Sequence, residues 1–248
     1  MTPRPHPLWH RMGGLALLVS LLVGASLALR IARGMPASAI GLATLVGSLI
    51  GGWVLADLLS GLFHYWADER ADECMPFLGR NVIVPFREHH ADPRAITRHD
   101  LSETNGDNAL GALLVLGPLL AWVPAAPTPS QLALSALGLG LGLGVLVTNQ
   151  VHQWAHARHA PRAVRWLQRR GLLLSPAHHA RHHRAHDRAY CITAGWCNVL
   201  LDRVLPRAPR ATDTPQAHDT ARAPNHHAHR RAITTPHGAP LEQTRRAP

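Results

Sequence analysis

The sequence predicts an all-α integral membrane protein: about four transmembrane helices carrying a histidine-rich cap on one side of the membrane. Three observations predict it. Four apolar stretches, residues 13–31, 40–63, 109–123 and 132–149, have or approach the roughly 20 residues a helix needs to cross a hydrocarbon core. Glycines recur inside them at spacings that let helices approach closely. Between residues 11 and 200, every histidine falls outside the apolar stretches and none falls in the outer turns.

The chain has 248 residues, 46% of them hydrophobic, which suits one domain. Its positive charge is all arginine, since no lysine occurs, and 16 of the 25 arginines follow residue 150. Beside apolar segments such a basic half points to anionic lipid rather than nucleic acid as its partner. The arginine- and alanine-rich composition points to a GC-rich bacterial genome, hence a multi-pass protein of the inner membrane. Cys74, Cys191 and Cys197 form no CxxC pair and no secreted disulfide pattern, so reduced thiols are expected.

In chain order, residues 1–12 are a polar amino-terminal segment. The apolar run 13–31 is long for the core of a signal peptide, and a second follows at once, so both read as spans. The second span carries Gly47, Gly51 and Gly52. A polar stretch, residues 64–108, holds nine carboxylates and five arginines. Glu103, Asn105, Asp107 and Asn108 are expected to cap the third span. A charge-free Pro-rich turn, residues 124–129, leads to the fourth span, where Gly138, Gly140, Gly142 and Gly144 give two overlapping small-xxx-small pairs. Residues 161–174 read as an interfacial helix, with Trp154, Trp166 and Trp196 as interfacial anchors. The membrane-embedded domain ends near residue 203. Residues 204–248, Pro-, Ala-, Arg- and His-rich without periodicity, read as a disordered basic tail whose His226, His227 and His229 are compositional. Arginine counts orient the spans: the 124–129 turn has none, so both termini and the cap are cytoplasmic.

Chemistry concentrates in the histidines. His179, His182, His183 and His186 are spaced i, i+3, i+4 and i+7, one face of a helix. His64 stands at the end of the second span and His152 and His156 at the end of the fourth. His89, His90 and His99 lie in the intervening loop, and His178 adjoins the last cluster. Neutral imidazoles gathered at one membrane face ligate metal. A single structural zinc takes only four ligands, no HExxH is present for a zinc protease, and thiolates are too few for an iron–sulfur cluster. Imidazole suits iron, copper and zinc alike; two ions sharing the ligands, with positions open to dioxygen, use this many, and an oxidative site at lipid level favours iron. Asp57 and Asp68 lie two turns before and one turn after His64, where either can orient its ring by accepting the second N–H. Asn149 is a neutral ligand or a cap.

Four ordered pieces, DLLSGLFHYWAD (57–68), FREHHADPRAITRHDLSETNGDN (86–108), TNQVHQWAH (148–156) and HHARHHRAHDRAYCITAGWCNVLLD (178–202), resemble the lipid desaturase family of Kua, CarF and plasmanylethanolamine desaturase. The likeness covers roughly residues 40–203. A chloroplast branch, the phosphatidylglycerol acyl desaturases, lacks the equivalents of His99 and the ETNGDN run, so the chain looks closer to the ether-lipid branch. The resemblance implies a di-iron centre that uses O2 to form the vinyl ether bond of a plasmalogen. It implies His64, His89, His90, His152, His156, His179, His182 and His183 as ligands, with His99, His178 and His186 as weaker candidates. It also implies a phospholipid substrate and an electron donor of cytochrome b5-like or ferredoxin-like type. The competing expectations are an acyl-lipid desaturase or hydroxylase and, in another class, a histidine-rich metal-binding or metal-transport protein. Transport wants ionisable residues at mid-membrane, and these spans hold almost none.

Overall fold

The structure, a computed structural model, describes residues 7–206 apart from Phe77, with side chains described from residue 11 onward. The expected tail beyond Pro206 and the first six residues lie outside the described residues. Among the described residues every regular element is a helix: α1 Pro7–Arg33, α2 Ala39–Glu69, α3 Val84–Ala91, α4 Leu101–Trp122, α5 Pro129–His156, α6 Arg162–Arg169, α7 Pro176–Ala185 and α8 Asn198–Val204. A π-helical turn, Gly79–Ile83, leads into α3, and a 3-10 turn, Ala95–Arg98, follows it.

Three helices, α1 from Arg11 onward, α2 and α5, are long and apolar enough to cross a membrane. α4, the expected third span, is not among them. It starts at Leu101, eight residues before the expected apolar stretch, and its polar first turns and internal Pro118 leave a shorter apolar length. Its start is fixed by a capping box. Asp100 Oδ1 accepts from the backbone N–H groups of Ser102 and Glu103, and Glu103 Oε2 accepts from that of Asp100. Of the residues expected to cap this helix, Glu103 does so. Asn105 and Asn108 instead donate across to α5, to Gln150 Oε1 and the Val145 carbonyl. α5 begins with a second box, Thr128 and Gln131, with Pro129 in its first turn.

α5 is the central helix: 56% of its apolar window is buried, against 22% for α1 and 17% for α2. Its alternating glycines explain how it holds a neighbour on each side. Residues two apart on a helix point to nearly opposite faces and residues four apart to the same face. Gly138 and Gly142 therefore meet Leu119 and Leu116 of α4, while Gly140 and Gly144 meet Leu49 and Ala56 of α2. At the α2 crossing the backbones touch: a Cβ on Gly140 would stand 2.1 Å from the Leu49 carbonyl oxygen, and one on Gly52 2.0 Å from that of Leu137. Gly47 and Gly51 face no such neighbour. The contacts advance together in sequence, so α2 and α5 run parallel and their carboxyl ends emerge at one end of the bundle. α4 runs antiparallel to α5. α1 lies on α4, closed by Gly13 against Gly106 and by Arg30, which donates to the Leu120 and Val123 carbonyls at the end of α4. The outward faces carry exposed Leu18, Leu22, Ile40, Ile50 and Leu114.

Both α2, at 31 residues, and α5, at 28, outrun a bilayer. At 1.5 Å per residue they extend about 46 and 42 Å, against a core of about 30 Å. The excess turns carry His64 and Asp68 on α2 and His152 and His156 on α5. Of the helix expected over residues 161–174 only α6, Arg162–Arg169, is helical; it buries Val164 and Gln168 and exposes Trp166. Trp154 is half-buried and packs against the core cluster that includes Val151 and Leu174.

Candidate metal centre

Four elements converge at the carboxyl ends of α2 and α5. α2 contributes His64 and Asp68, one turn apart. α3 contributes His89 and His90; Arg87 ties it down by donating to the Ala67 and Ala71 carbonyls at the end of α2. α5 contributes His152 and His156, again one turn apart. α7 starts at Ser175, whose hydroxyl accepts from the His178 N–H, with Pro176 in its first turn. It presents His179, His182 and His183 on one face.

These side chains form two groups. In the first, one ligand atom from each of His89, His152, His156, His179 and His183 lies within 4.8 Å of all the others; in the second the same holds for His64, Asp68, His90 and His182. Nε2 of His152, His156, His179 and His183 approach one another at 2.8–3.2 Å. Nitrogens bound about 2.1 Å from one ion at right angles stand about 3 Å apart, so this spacing is that of ligands around a common centre. In the second group the Nε2 atoms of His182 and His90 are 3.1 Å apart. Asp68 Oδ2 lies 3.2 Å from Nε2 of His64, 3.6 Å from that of His90 and 3.5 Å from that of His182.

The far sides of three rings are held by backbone carbonyls. Nδ1 of His64 faces the Tyr190 carbonyl at 2.9 Å, that of His182 the Arg188 carbonyl at 2.9 Å, and that of His89 the Phe86 carbonyl. A carbonyl can only accept, so each Nδ1 carries the proton and each Nε2 turns a lone pair inward. Nε2 of His64 and of His89 and both Asp68 oxygens are buried without a hydrogen-bond partner. Lone pairs and a carboxylate facing one another out of water are costly unless a cation sits among them. Burial also holds four imidazoles outside the spans neutral: His90 is lowered to about 4 and His183 to about 3, and His89 and His179 fall far below the usual range for the same reason, helped by neighbouring rings. Neutral imidazole is the metal-binding form. The residues present therefore fit two ions.

Five of the expected site residues stand elsewhere than expected. Asp68 lies among the inward-facing nitrogens, not behind His64; the second N–H of His64 is taken by Tyr190. Asp57 is buried seven residues away and accepts from the N–H groups of Ala194 and Gly195 on Oδ1 and of Cys197 on Oδ2, at 2.7–2.9 Å. It anchors the strap, residues 186–197, that carries the Tyr190 and Arg188 carbonyls. His186 ends α7 with φ 52°, so its ring leaves the helical face and stacks on His90 at 4.7 Å, outside both groups. His178 pairs with Asn198 Nδ2 at 2.9 Å and packs on Gly195. His99 is exposed and contributes only its carbonyl, which Gln153 holds together with that of Ile96. Asn149 is half-buried one turn before His152. The carbonyls of Phe86, Arg188 and Tyr190 had no sequence signal, because any residue supplies one.

The fold and site together define a class: a helical bundle whose longest apolar helices end in two imidazole-rich groups, largely out of solvent, that fit metal ions. Within that class the chain belongs to the lipid desaturase domain family, whose profile matches residues 53–205. It is 41% identical over 169 residues to plasmanylethanolamine desaturase of Myxococcus xanthus, covering 67% of this chain and 59% of that protein. With plasmanylethanolamine desaturase 1 of Mus musculus it shares 42% over 162 residues, 62% of this chain and 59% of that one. With chloroplastic fatty acid desaturase 4 of Arabidopsis thaliana it shares 35% over 158 residues, 60% and 45% of the two chains. The chain thus spans less than two thirds of the length of these relatives. No solved structure gives a significant match.

Proposed function

We propose that the chain is a membrane oxidoreductase that desaturates the ether-linked alkyl chain of a plasmanyl phospholipid, giving the vinyl ether of a plasmalogen. The observation that carries this reading is the pair of buried ligand groups, nine side chains in all, in a lipid desaturase family member whose relatives at 41% and 42% identity are named for that activity. The reaction balances as –CH2–CH2– plus O2, two electrons and two protons giving –CH=CH– and two waters.

The proposed ligands are His89, His152, His156, His179 and His183 for one iron and His64, Asp68, His90 and His182 for the other. Bound there, iron supplies the dioxygen activation that breaking an unactivated C–H bond requires. The protein supplies everything else. Tyr190, Arg188 and Phe86 hold the proton on Nδ1 of their histidines, so ring orientation is set before any ligand binds. His64, His152, His179 and His182 are fully buried, which keeps bulk water from the centre. The substrate chain rises from the bilayer while its headgroup stays at the arginine-rich surface, and a cytochrome b5-like or ferredoxin-like carrier delivers the electrons. In this reading α4 also crosses the membrane, as the third of four spans; the centre and both termini face the cytoplasm of a bacterial inner membrane, and the chain after residue 207 is dispensable.

The reading is tested by expressing the chain in a host that makes alkyl ether phospholipids but no plasmalogens. An acid-labile lipid two hydrogens lighter than the plasmanyl precursor is the expected product, absent with His182→Ala. An acid-stable double bond in an acyl chain would move the assignment to the acyl desaturases; unchanged lipids in a metal-loaded, inserted protein would overturn it.

A further inference from the structure

The last described helix has a face that the proposed reaction leaves unused. α8 turns Asn198 and Leu201 inward. Leu201 Cδ1 lies where a Cβ on Gly61 would come within 2.5 Å, and the Cys197 thiol reaches the Val54 carbonyl at 3.5 Å. α8 therefore lies along residues 54–61 of α2, with its start about 22 Å and its Leu201 about 12 Å short of the end of that helix at Glu69. Its other face is apolar and open: Val199 is 67% exposed, Leu200 53% and Val204 62%. The adjoining surface of α2 continues it with exposed Leu59, Leu62 and Phe63.

We infer that α8 is immersed in the same bilayer leaflet that borders this part of α2, with the surrounding arginines at anionic phospholipid headgroups. Charge and composition at the rim identify the occupant. Arg203 sits on the exposed face of α8, one turn from Val199 and Leu200, where a long basic side chain can run up to the headgroups while its stem stays in lipid. Trp196, just before α8, donates its Nε1–H to the Gly171 carbonyl, joining α8 to the end of α6. There Arg169 and Arg170 are exposed, and the Arg170 guanidinium lies over the Trp166 ring at 5.5 Å. An apolar face edged by tryptophan and arginine is the composition of an interfacial helix on an anionic surface. A consequence follows for the metal centre. α8 continues directly from the strap whose Arg188 and Tyr190 carbonyls orient His182 and His64, so the lipid seat and the ligand geometry share one segment.

This inference rests on α2 crossing the membrane, and the experiment keeps the two apart. The full chain, with Cys74→Ser to remove the exposed thiol, is placed in bilayers of phosphatidylethanolamine and phosphatidylglycerol. Nitroxide labels are attached singly through Val199→Cys, Leu200→Cys or Val204→Cys, with Leu49→Cys on α2 and Arg98→Cys in the polar loop as references. Relaxation by oxygen and by a water-soluble nickel chelate is then measured. The inference predicts that labels at 199, 200 and 204 collide with oxygen and are shielded from nickel, as the label at 49 is, whereas that at 98 is open to nickel. It predicts that nickel access at 200 rises when phosphatidylglycerol is replaced by phosphatidylcholine; no change would refute the anionic-headgroup contact. Nickel access at all three α8 positions with a shielded label at 49 would refute immersion alone. Shielding from both reagents would mean a protein surface covers α8, which also overturns it. Nickel access at 49 would remove the spanning reading itself.

Discussion

Asp68 decides whether the two ligand groups are alike. Without it the second group holds three imidazoles; with it, a carboxylate balances part of an ion's charge. Asp68→Asn keeps the shape and removes the charge, so the purified variant is expected to lose the ion of the second group and keep that of the first, halving its metal content, with desaturation abolished. Full metal content would show that Asp68 is not a ligand. The histidines make a second prediction. The folded pKa values of His90 and His183 lie below the ordinary 6.5, at about 4 and about 3. Above pH 6.5 neither folded nor unfolded chain binds these protons, and stability is level. Below it the unfolded chain takes protons the fold refuses, so stability falls until pH passes the folded values. The melting temperature of the metal-free protein should therefore hold from about pH 7.5 to 6.5 and drop steadily towards pH 4; a flat profile through that window would show that these rings are not buried neutral. The spacing of the histidines was legible in the sequence because ligands from helices must recur at helical intervals. Asp68 was legible only as a neighbour of His64, because i, i+4 spacing cannot say which nitrogen of the ring a carboxylate faces.

Among the elements, the α2–α5 crossing and the 186–197 strap position everything else. Gly140→Ala drives a methyl into the Leu49 carbonyl and is expected to cost about 1–3 kcal/mol or more, read as a lowered melting temperature and less folded protein in detergent. Gly47→Ala, with nothing within 4 Å, is the matched control and should be neutral or stabilising by about 1 kcal/mol from helix propensity. Equal losses in both would mean that the crossing is looser than described. The spacing of four announced this packing; that glycines two apart serve different neighbours follows only from the helical turn of nearly 200° between them. In the strap, Asp57→Ala leaves two buried N–H groups and one part-buried one without an acceptor, at about 1–3 kcal/mol each where water cannot replace it. Because the strap carries the Tyr190 and Arg188 carbonyls, the second group should lose its ion before the first. Equal loss from both would show that Asp57 acts on the fold at large. Asp57 reads in the sequence as a partner of His64 because both lie on one helical face, but a helix face does not reveal which strand of irregular chain will pack against it.

At the scale of the molecule, α2 and α5, at 31 and 28 residues, run on past their apolar stretches and carry the ligand residues on their last turns without breaking their backbone hydrogen bonds. Apolar length and histidine placement made the all-helical bundle and its histidine clusters readable from the sequence. The early start of α4 was not, since its first turns are polar and are held by capping and by Asn105 and Asn108 reaching α5. The central claim is that the cap holds two ions, and elemental mass spectrometry of the detergent-purified protein beside His182→Ala tests it most directly. Two irons per chain in the parent, one for each ligand group, with loss in the variant, is the predicted result. A single zinc, or no metal in a folded protein that still binds lipid, would contradict it.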